Sequence, residues 1–240
     1  MMYLTGSVNF RLIEKRGVII RYEIFENLDE NKKQKIINAG FKVFAAHGYV
    51  KASVDEIVKA ADISKGSLFY YFESKKNFFL YLYEYSGEQL EKMVDSPGPD
   101  GKPTYMEYTD FFERLKAIQL LKMKHSMAHP HMYSYMKKAV FETAPDIKEA
   151  ISEVNNKYTK ERAMLFFQGL DYAKFKKGVD PMMVIQLLTW TSEGCTNQVL
   201  QTMMLKTGST DVTPDFNEVV KLYFAYVEMF RKNFYQEEYQ

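Results

Sequence analysis

The sequence predicts an all-α protein of about nine helices, with a small three-helix N-terminal domain followed by a larger helical domain. Three observations lead there. Apolar residues recur at spacings of three and four along most of the chain. The seven prolines, Pro97, Pro99, Pro103, Pro130, Pro145, Pro181 and Pro214, each fall where that periodicity restarts. Proline breaks a helix interior but suits its first turn, so these positions read as helix boundaries. No hairpin turn signals stand between alternating stretches. The expected organisation is an N-terminal extension over 1–28, a first domain over 29–85 and a second over 86–240.

Composition narrows the class. Of 240 residues, 46% are hydrophobic and 26% charged, the balance of a soluble globular protein. No apolar run approaches the roughly 20 residues that span a bilayer. The opening MMYLTGSVNFRLIEKRG lacks an apolar signal core with a small-residue cleavage site, so a cytoplasmic location is expected. The single cysteine, Cys195, permits no internal disulfide and reads as a small packing residue. Residues 1–85 carry 13 Lys/Arg against 10 Asp/Glu, net +3, and residues 86–240 carry 19 against 21, net −2. The excess of positive charge tilts nucleic acid toward the N-terminal end.

The elements can be justified in order. Gly17–Phe25 is rich in β-branched residues and partly alternating, and reads as a short strand, an ordered arm or an extension. From about Glu30, Ile37, Phe41 and Phe44 form one helical face, and His47-Gly48 ends it. Ser53 opens a second helix with Glu56 three residues on, a capping-box pattern, and Val54, Ile57, Val58 and Ala61 form its buried face. Asp62-Ile63 turns the chain. Ser64 caps a short third helix carrying Leu68, Phe69 and Phe72, and Ser74 caps a fourth from Lys75 to about Val94. The Pro/Gly-rich stretch 96–103 is a helix-free connection. Five longer helical patterns follow, at about 104–127, 131–143, 146–168, 181–206 and 215–235.

The second and third helices, each of about eight residues and joined by a tight turn, make a helix-turn-helix. Ile57 and Ala61 meet Ile63 and Leu68 so that the two helices cross, which leaves the other face of the third helix outward. Its outward residues are Ser64, Lys65, Ser67, Tyr70 and Tyr71, with Lys75 just beyond. Hydroxyls, a cation and phenols bond phosphates and base edges, and the major groove admits a helix. A helical protein-interaction module, or a ligand-binding protein without operator binding, is the alternative, but a protein groove gives Tyr71 with Lys75 no clear role.

The run SVDEIVKAADISKGSLFYYFESKKNFF, with the preceding Phe44-Ala45-Ala46-His47-Gly48-Tyr49, resembles the N-terminal signature of the tetracycline-repressor (TetR) family of bacterial regulators. The likeness covers about residues 30–85. It implies a regulator, read here as a repressor, that binds palindromic double-stranded operator DNA as a homodimer and is released by a small apolar or aromatic effector. It implies that Lys65, Ser67 and Tyr70 face bases, that Ser53, Tyr71 and Lys75 hold phosphates, and that Gly66 allows close approach. Ser64, as cap, completes the expected DNA-binding set. Three positions depart from the family pattern: Asp62 stands where glycine is usual, Val58 where alanine is, and Phe69 where tyrosine is frequent.

Residues 86–240 must then house dimerisation and sensing. Phe216, Val220, Tyr223, Val227, Phe230 and Phe234 recur at 4, 3, 4, 3 and 4, a seam for helix packing. In the resembling family the last two helices form a four-helix bundle across a two-fold axis, so Val220, Tyr223, Val227, Phe230 and Phe234 are expected at the dimer interface. Tyr108, Phe112, Tyr158, Glu161, Trp190, Glu193 and Asn197 are the candidate effector contacts, as aromatic groups or as polar groups on apolar faces. His125, His129 and His131 do not read as a metal site, because Pro130 breaks the helix that would align them. No phosphate-binding glycine loop, nucleophile elbow or zinc motif is present, so neither an enzyme nor a cofactor is expected.

Overall fold

The computed structural model describes residues 18–209, 212 and 215–240, without the side chains of 18–21, 156–164 and 216. Among the described residues there are ten α-helices and no strand beyond two isolated bridges. They are α1 (Val18–Glu26), α2 (Glu30–Lys51), α3 (Val54–Ala61), α4 (Lys65–Phe72), α5 (Lys75–Val94), α6 (Phe111–Ala128), α7 (Pro130–Val140), α8 (Pro145–Phe167), α9 (Pro181–Thr207) and α10 (Phe216–Phe234). The chain forms two compact units. The first takes in the chain up to Met93 together with Ala128–Leu165, and the second comprises Val94–Met127 with Phe166–Gln240. Residues 128–165 thus join the N-terminal helices, which a sequence boundary at 85 does not anticipate.

The first unit is built around α2. Its buried face, Ile36, Ile37, Gly40, Phe41 and Phe44, meets Phe78, Phe79 and Leu82 of α5 and Tyr135 of α7 in one apolar core. Burying each Ile, Leu or Phe side chain of this set contributes about 1.5–3 kcal/mol. The rings pack edge to face: Phe44 on Phe79 at 4.9 Å between centroids, Phe79 on Tyr135 at 5.0 Å. The Tyr135 hydroxyl donates to the Phe79 carbonyl at 2.5 Å. Gly40 is required by the closeness of this packing, since a Cβ there would stand 2.6 Å from both Leu82 Cδ1 and Phe78 Cζ.

The β-rich stretch before Glu26 is helical. Tyr22 and Phe25 lie three residues apart, on one helical face, and both reach the core. Phe25 sits 4.7 Å from the Phe72 ring of α4 and edge-on to Tyr81 of α5 at 5.2 Å. Tyr22 donates to the Asn77 carbonyl at 3.2 Å and Tyr81 to the Glu26 carboxylate at 2.6 Å. Local β-propensity is overridden because two rings fill the space beside α4 and α5. The helix count rises to ten for this reason, and the tail of the expected extension is part of the domain core.

The second unit is pinned by two charged residues, one capping α6 and one in its first turn. Asp110 caps α6, accepting the N–H of Phe112 at 3.0 Å and Glu113 at 3.1 Å, and pairs with Lys174 at 2.8 Å. Burial opposes its ionisation. The Lys174 hydrogen bond and the helix N–H groups outweigh that and hold its carboxyl below the usual range. Arg114 is buried without a carboxylate. Its guanidinium donates to the carbonyls of Tyr108, Phe166 and Gln168, each at 2.7 Å. It thereby satisfies acceptors at the end of α8, where the helix dipole favours a cation. Burial lowers its pKa. Phe111, Phe112, Phe166, Phe175 and Tyr235 form an aromatic cluster beside it. α10 is tied to α6 by Lys116–Glu228 at 3.3 Å and Arg231–Glu113 at 2.9 Å, and packs on α9. Cys195 of α9 is buried, as a packing residue should be.

A candidate nucleic-acid interface on the third and fourth helices

The α3–α4 turn forms as its residues dictate. Asp62 takes φ 56° and ψ 50°, a left-handed conformation that a short polar side chain tolerates. The Ile63 N–H returns to the Val58 carbonyl at 3.1 Å and closes α3. Ile57 and Ala61 of α3 and Leu68 of α4 are all buried, so the helices cross with alanine at the contact. Ser64 Oγ accepts the Ser67 N–H at 3.0 Å and lies 2.8 Å from Ser67 Oγ, as an N-cap should. The capping box at Ser53 does not form. Ser53 makes no side-chain cap bond, and Glu56 instead lies 3.2 Å from His47 Nε2. A partner from α2 outcompetes the local bond, and the Ser53 hydroxyl is left outside the fold's own capping.

The outward face of α4 is polar and unobstructed. Tyr70 is 58% exposed. Lys65 reaches back to Asp55 at 2.9 Å, an exposed pair that solvent or a phosphate can exchange. Gly66 is exposed, and a Cβ there would meet only Ser64 Oγ at 3.7 Å. The fold therefore does not require glycine at this position. Tyr71 differs from its expected outward place: it is only 7% exposed, its ring 5.7 Å from Phe25 and 5.9 Å from Tyr70. The α1 helix that covers it was not legible as a helix.

Lys75 stands at the start of α5 over the Tyr49 ring, 4.8 Å from its centroid. Its ammonium donates to the carbonyls of Val50 at 3.3 Å and Ala52 at 3.1 Å. An ammonium has three N–H groups, so one remains for an outside acceptor.

The other expected sites scatter. Tyr108 lies in an open cleft of about 300 Å³ with Tyr105, Ala117, Leu120, Leu121 and Lys124. Phe112 is packed into the aromatic cluster, edge-on to Tyr235 at 4.9 Å, and does not face that cleft. Trp190 is 58% exposed, and Glu193 and Asn197 are exposed on α9. The side chains of Tyr158 and Glu161 lie outside the described residues. The α10 seam divides. Tyr223 and Val227 are buried within the chain, because α10 spends that face on its own unit. Val220, Phe230 and Phe234 are half-buried, with Phe230 and Phe234 stacked at 5.6 Å. Tyr226 and Met229 face outward.

An all-helical fold that presents a polar, uncovered second helix of a helix-turn-helix offers an element that can enter a DNA major groove. Residues 36–82 match the model of the bacterial regulatory proteins of the tetR family. Among curated proteins the chain is similar to the transcriptional regulator AcuR of Cereibacter sphaeroides, 25% identical over 148 residues, 62% of this chain and 67% of that one. It is also similar to the fatty acid metabolism regulator protein of Bacillus subtilis, 22% identical over 193 residues, 80% of this chain and 93% of that one. The solved FadR of Bacillus subtilis in complex with stearoyl-CoA shares the fold, with a TM-score of 0.56 at 17% identity, covering 82% of this chain and 96% of that one. Among the described residues no helix is long and apolar enough to cross a membrane, and no cluster of His, Cys, Asp and Glu could hold a metal ion.

Proposed function

We propose that the chain is a homodimeric repressor that reads a palindromic operator with α4 and leaves it when a small apolar molecule binds the second unit. The observation that carries this is the face of α4. Lys65, Gly66, Ser67 and Tyr70 are uncovered or only partly covered, and the fold itself has no use for glycine at Gly66. Lys65, Ser67 and Tyr70 address base edges. Ser53 and Lys75, brought together by the Lys75 bonds to the Val50 and Ala52 carbonyls, address phosphates, which fixes register without reading sequence.

Dimerisation is supported by apolar side chains that the chain leaves uncovered on its last two helices: Met182, Met183 and Trp190 on α9, Tyr226 and Met229 on α10. A two-fold operator calls for two copies of α4 in successive major grooves, about 34–36 Å apart, and a homodimer supplies the two copies. The cleft beside Tyr108 is the candidate effector site. Its walls are Tyr105, Ala117, Leu120 and Leu121, with Glu107 and Lys124 as the charged groups. An aromatic or acyl body with one charged end suits that lining. The stearoyl-CoA held by the Bacillus subtilis FadR makes a short acyl chain with a single carboxylate the first compound to try.

Selection of bound duplexes from a random pool at stated salt tests the reading. Recovery of a two-fold symmetric sequence is expected. Recovery of none, or of a site without symmetry, would overturn the operator and dimer readings respectively.

A further inference from the structure

Gly48 takes φ 71° and ψ 178°, which turns the chain out of the α2 ladder before the helix resumes for its last residues. The N–H at the restart, that of Tyr49, is met by Glu142 Oε2 at 3.0 Å, from 93 residues further along the chain. The other carboxylate oxygen accepts the N–H groups of Thr143 at 3.0 Å and Ala144 at 3.3 Å, which lead into α8. One ionised side chain thus satisfies both the restart of α2 and the approach to α8. Two neighbouring contacts fasten the same corner: Lys138 Nζ donates to the Ala46 carbonyl at 2.6 Å, and Lys76 pairs with Asp146 at 3.1 Å. All of these residues belong to the first unit.

What Glu142 holds is the seat of Lys75. The segment Tyr49–Ala52 supplies the ring beneath the ammonium and both carbonyls that accept from it, and it runs directly into Ser53. If that segment shifts, the one free N–H of Lys75 is no longer aimed, although no residue that touches DNA has changed. A charge-assisted bond to a backbone N–H is among the stronger single contacts available for this purpose.

We propose that Glu142 is a positioning residue for DNA binding, acting through Tyr49–Ala52 on Lys75 and Ser53. The proposal rests on the reading of α4 and Lys75 as the DNA-facing groups. It gives the α7–α8 corner, far from α4 in sequence, a direct hold on a phosphate contact.

The test uses the full chain and the duplex recovered by selection, with affinity measured across a salt series. Glu142→Ala is expected to weaken binding about tenfold, the worth of one charge-assisted hydrogen bond. It should also flatten the salt slope by about one unit, as loss of one phosphate contact does. In a Lys75→Ala background, Glu142→Ala should change the slope no further, which a merely structural role would not produce. Glu142→Gln, which keeps one acceptor oxygen, should fall between wild type and Glu142→Ala, and it carries the same test if the alanine variant does not fold. An unchanged slope for Glu142→Ala and Glu142→Gln, or slope changes that add to those of Lys75→Ala, would overturn the proposal. Failure of the wild-type chain to bind any duplex would instead overturn the reading beneath it.

Discussion

Gly66 and Lys75 separate what the fold needs from what DNA needs. Gly66 lies in a helix where a Cβ would make only an ordinary contact with Ser64 Oγ, so Gly66→Ala should leave thermal stability unchanged or raise it, by up to about 1 kcal/mol. The same substitution should weaken binding to the selected duplex if, as proposed, the α4 backbone approaches DNA at Gly66. Thermal melts and a binding titration on one preparation check both halves, and a loss of stability would mean the glycine serves the fold. Lys75→Ala should weaken binding to all duplexes and reduce the salt slope by about one. Lys75 was legible in the sequence as a candidate phosphate contact through the resemblance of its surroundings to the family signature. Its support was not, since Tyr49 and Glu142 are brought to it by the turn at Gly48 and by α7, and neither shows in local periodicity. Tyr71 was misplaced for the same kind of reason: its cover comes from α1, whose β-branched residues hide a helix in the sequence.

At the scale of elements, caps and prolines set most boundaries correctly, because they act within a few residues of themselves. Pro130, Pro145 and Pro181 begin α7, α8 and α9, and Ser64 and Asp62 bound the turn between α3 and α4. Contacts that bring α6 into register were not legible, since Arg114 and Lys174 find partners dozens of residues away. Two predictions belong to this scale. Gly40→Ala should destabilise the first unit by about 1–3 kcal/mol, since α2 and α5 leave no room for a methyl group between Leu82 and Phe78. Denaturant unfolding checks it. Asp110 has a folded pKa below its unfolded value, near 3.9, so its contribution is full above about pH 4. That contribution is lost as pH falls through the lowered value. Asp110→Asn should therefore cost about 1.5–3 kcal/mol at neutral pH, and the difference from wild type should shrink in acid. A constant difference down to pH 2 would show that the Lys174 pair is not its source.

For the whole molecule, the division of the α10 surface decides how the dimer should be tested. Val227 is buried in its own chain, so Val227→Asp should unfold the second unit rather than merely separate protomers. Met229 faces outward, so Met229→Asp should give folded monomers on sedimentation with much weakened operator binding. A seam at heptad-like spacing could be read from sequence, but not which of its faces the chain would use for itself, because α9 and α6 claim it from outside the segment. The central claim is that α4 reads base sequence. Its most direct test is the ratio of affinities for the selected duplex and a scrambled one, for wild type and for the triple variant Lys65→Ala, Ser67→Ala, Tyr70→Ala. Wild type should prefer the selected duplex by about a thousandfold or more, and the variant should bind both weakly and nearly equally while keeping its fold. A folded variant with the wild-type ratio would contradict the claim.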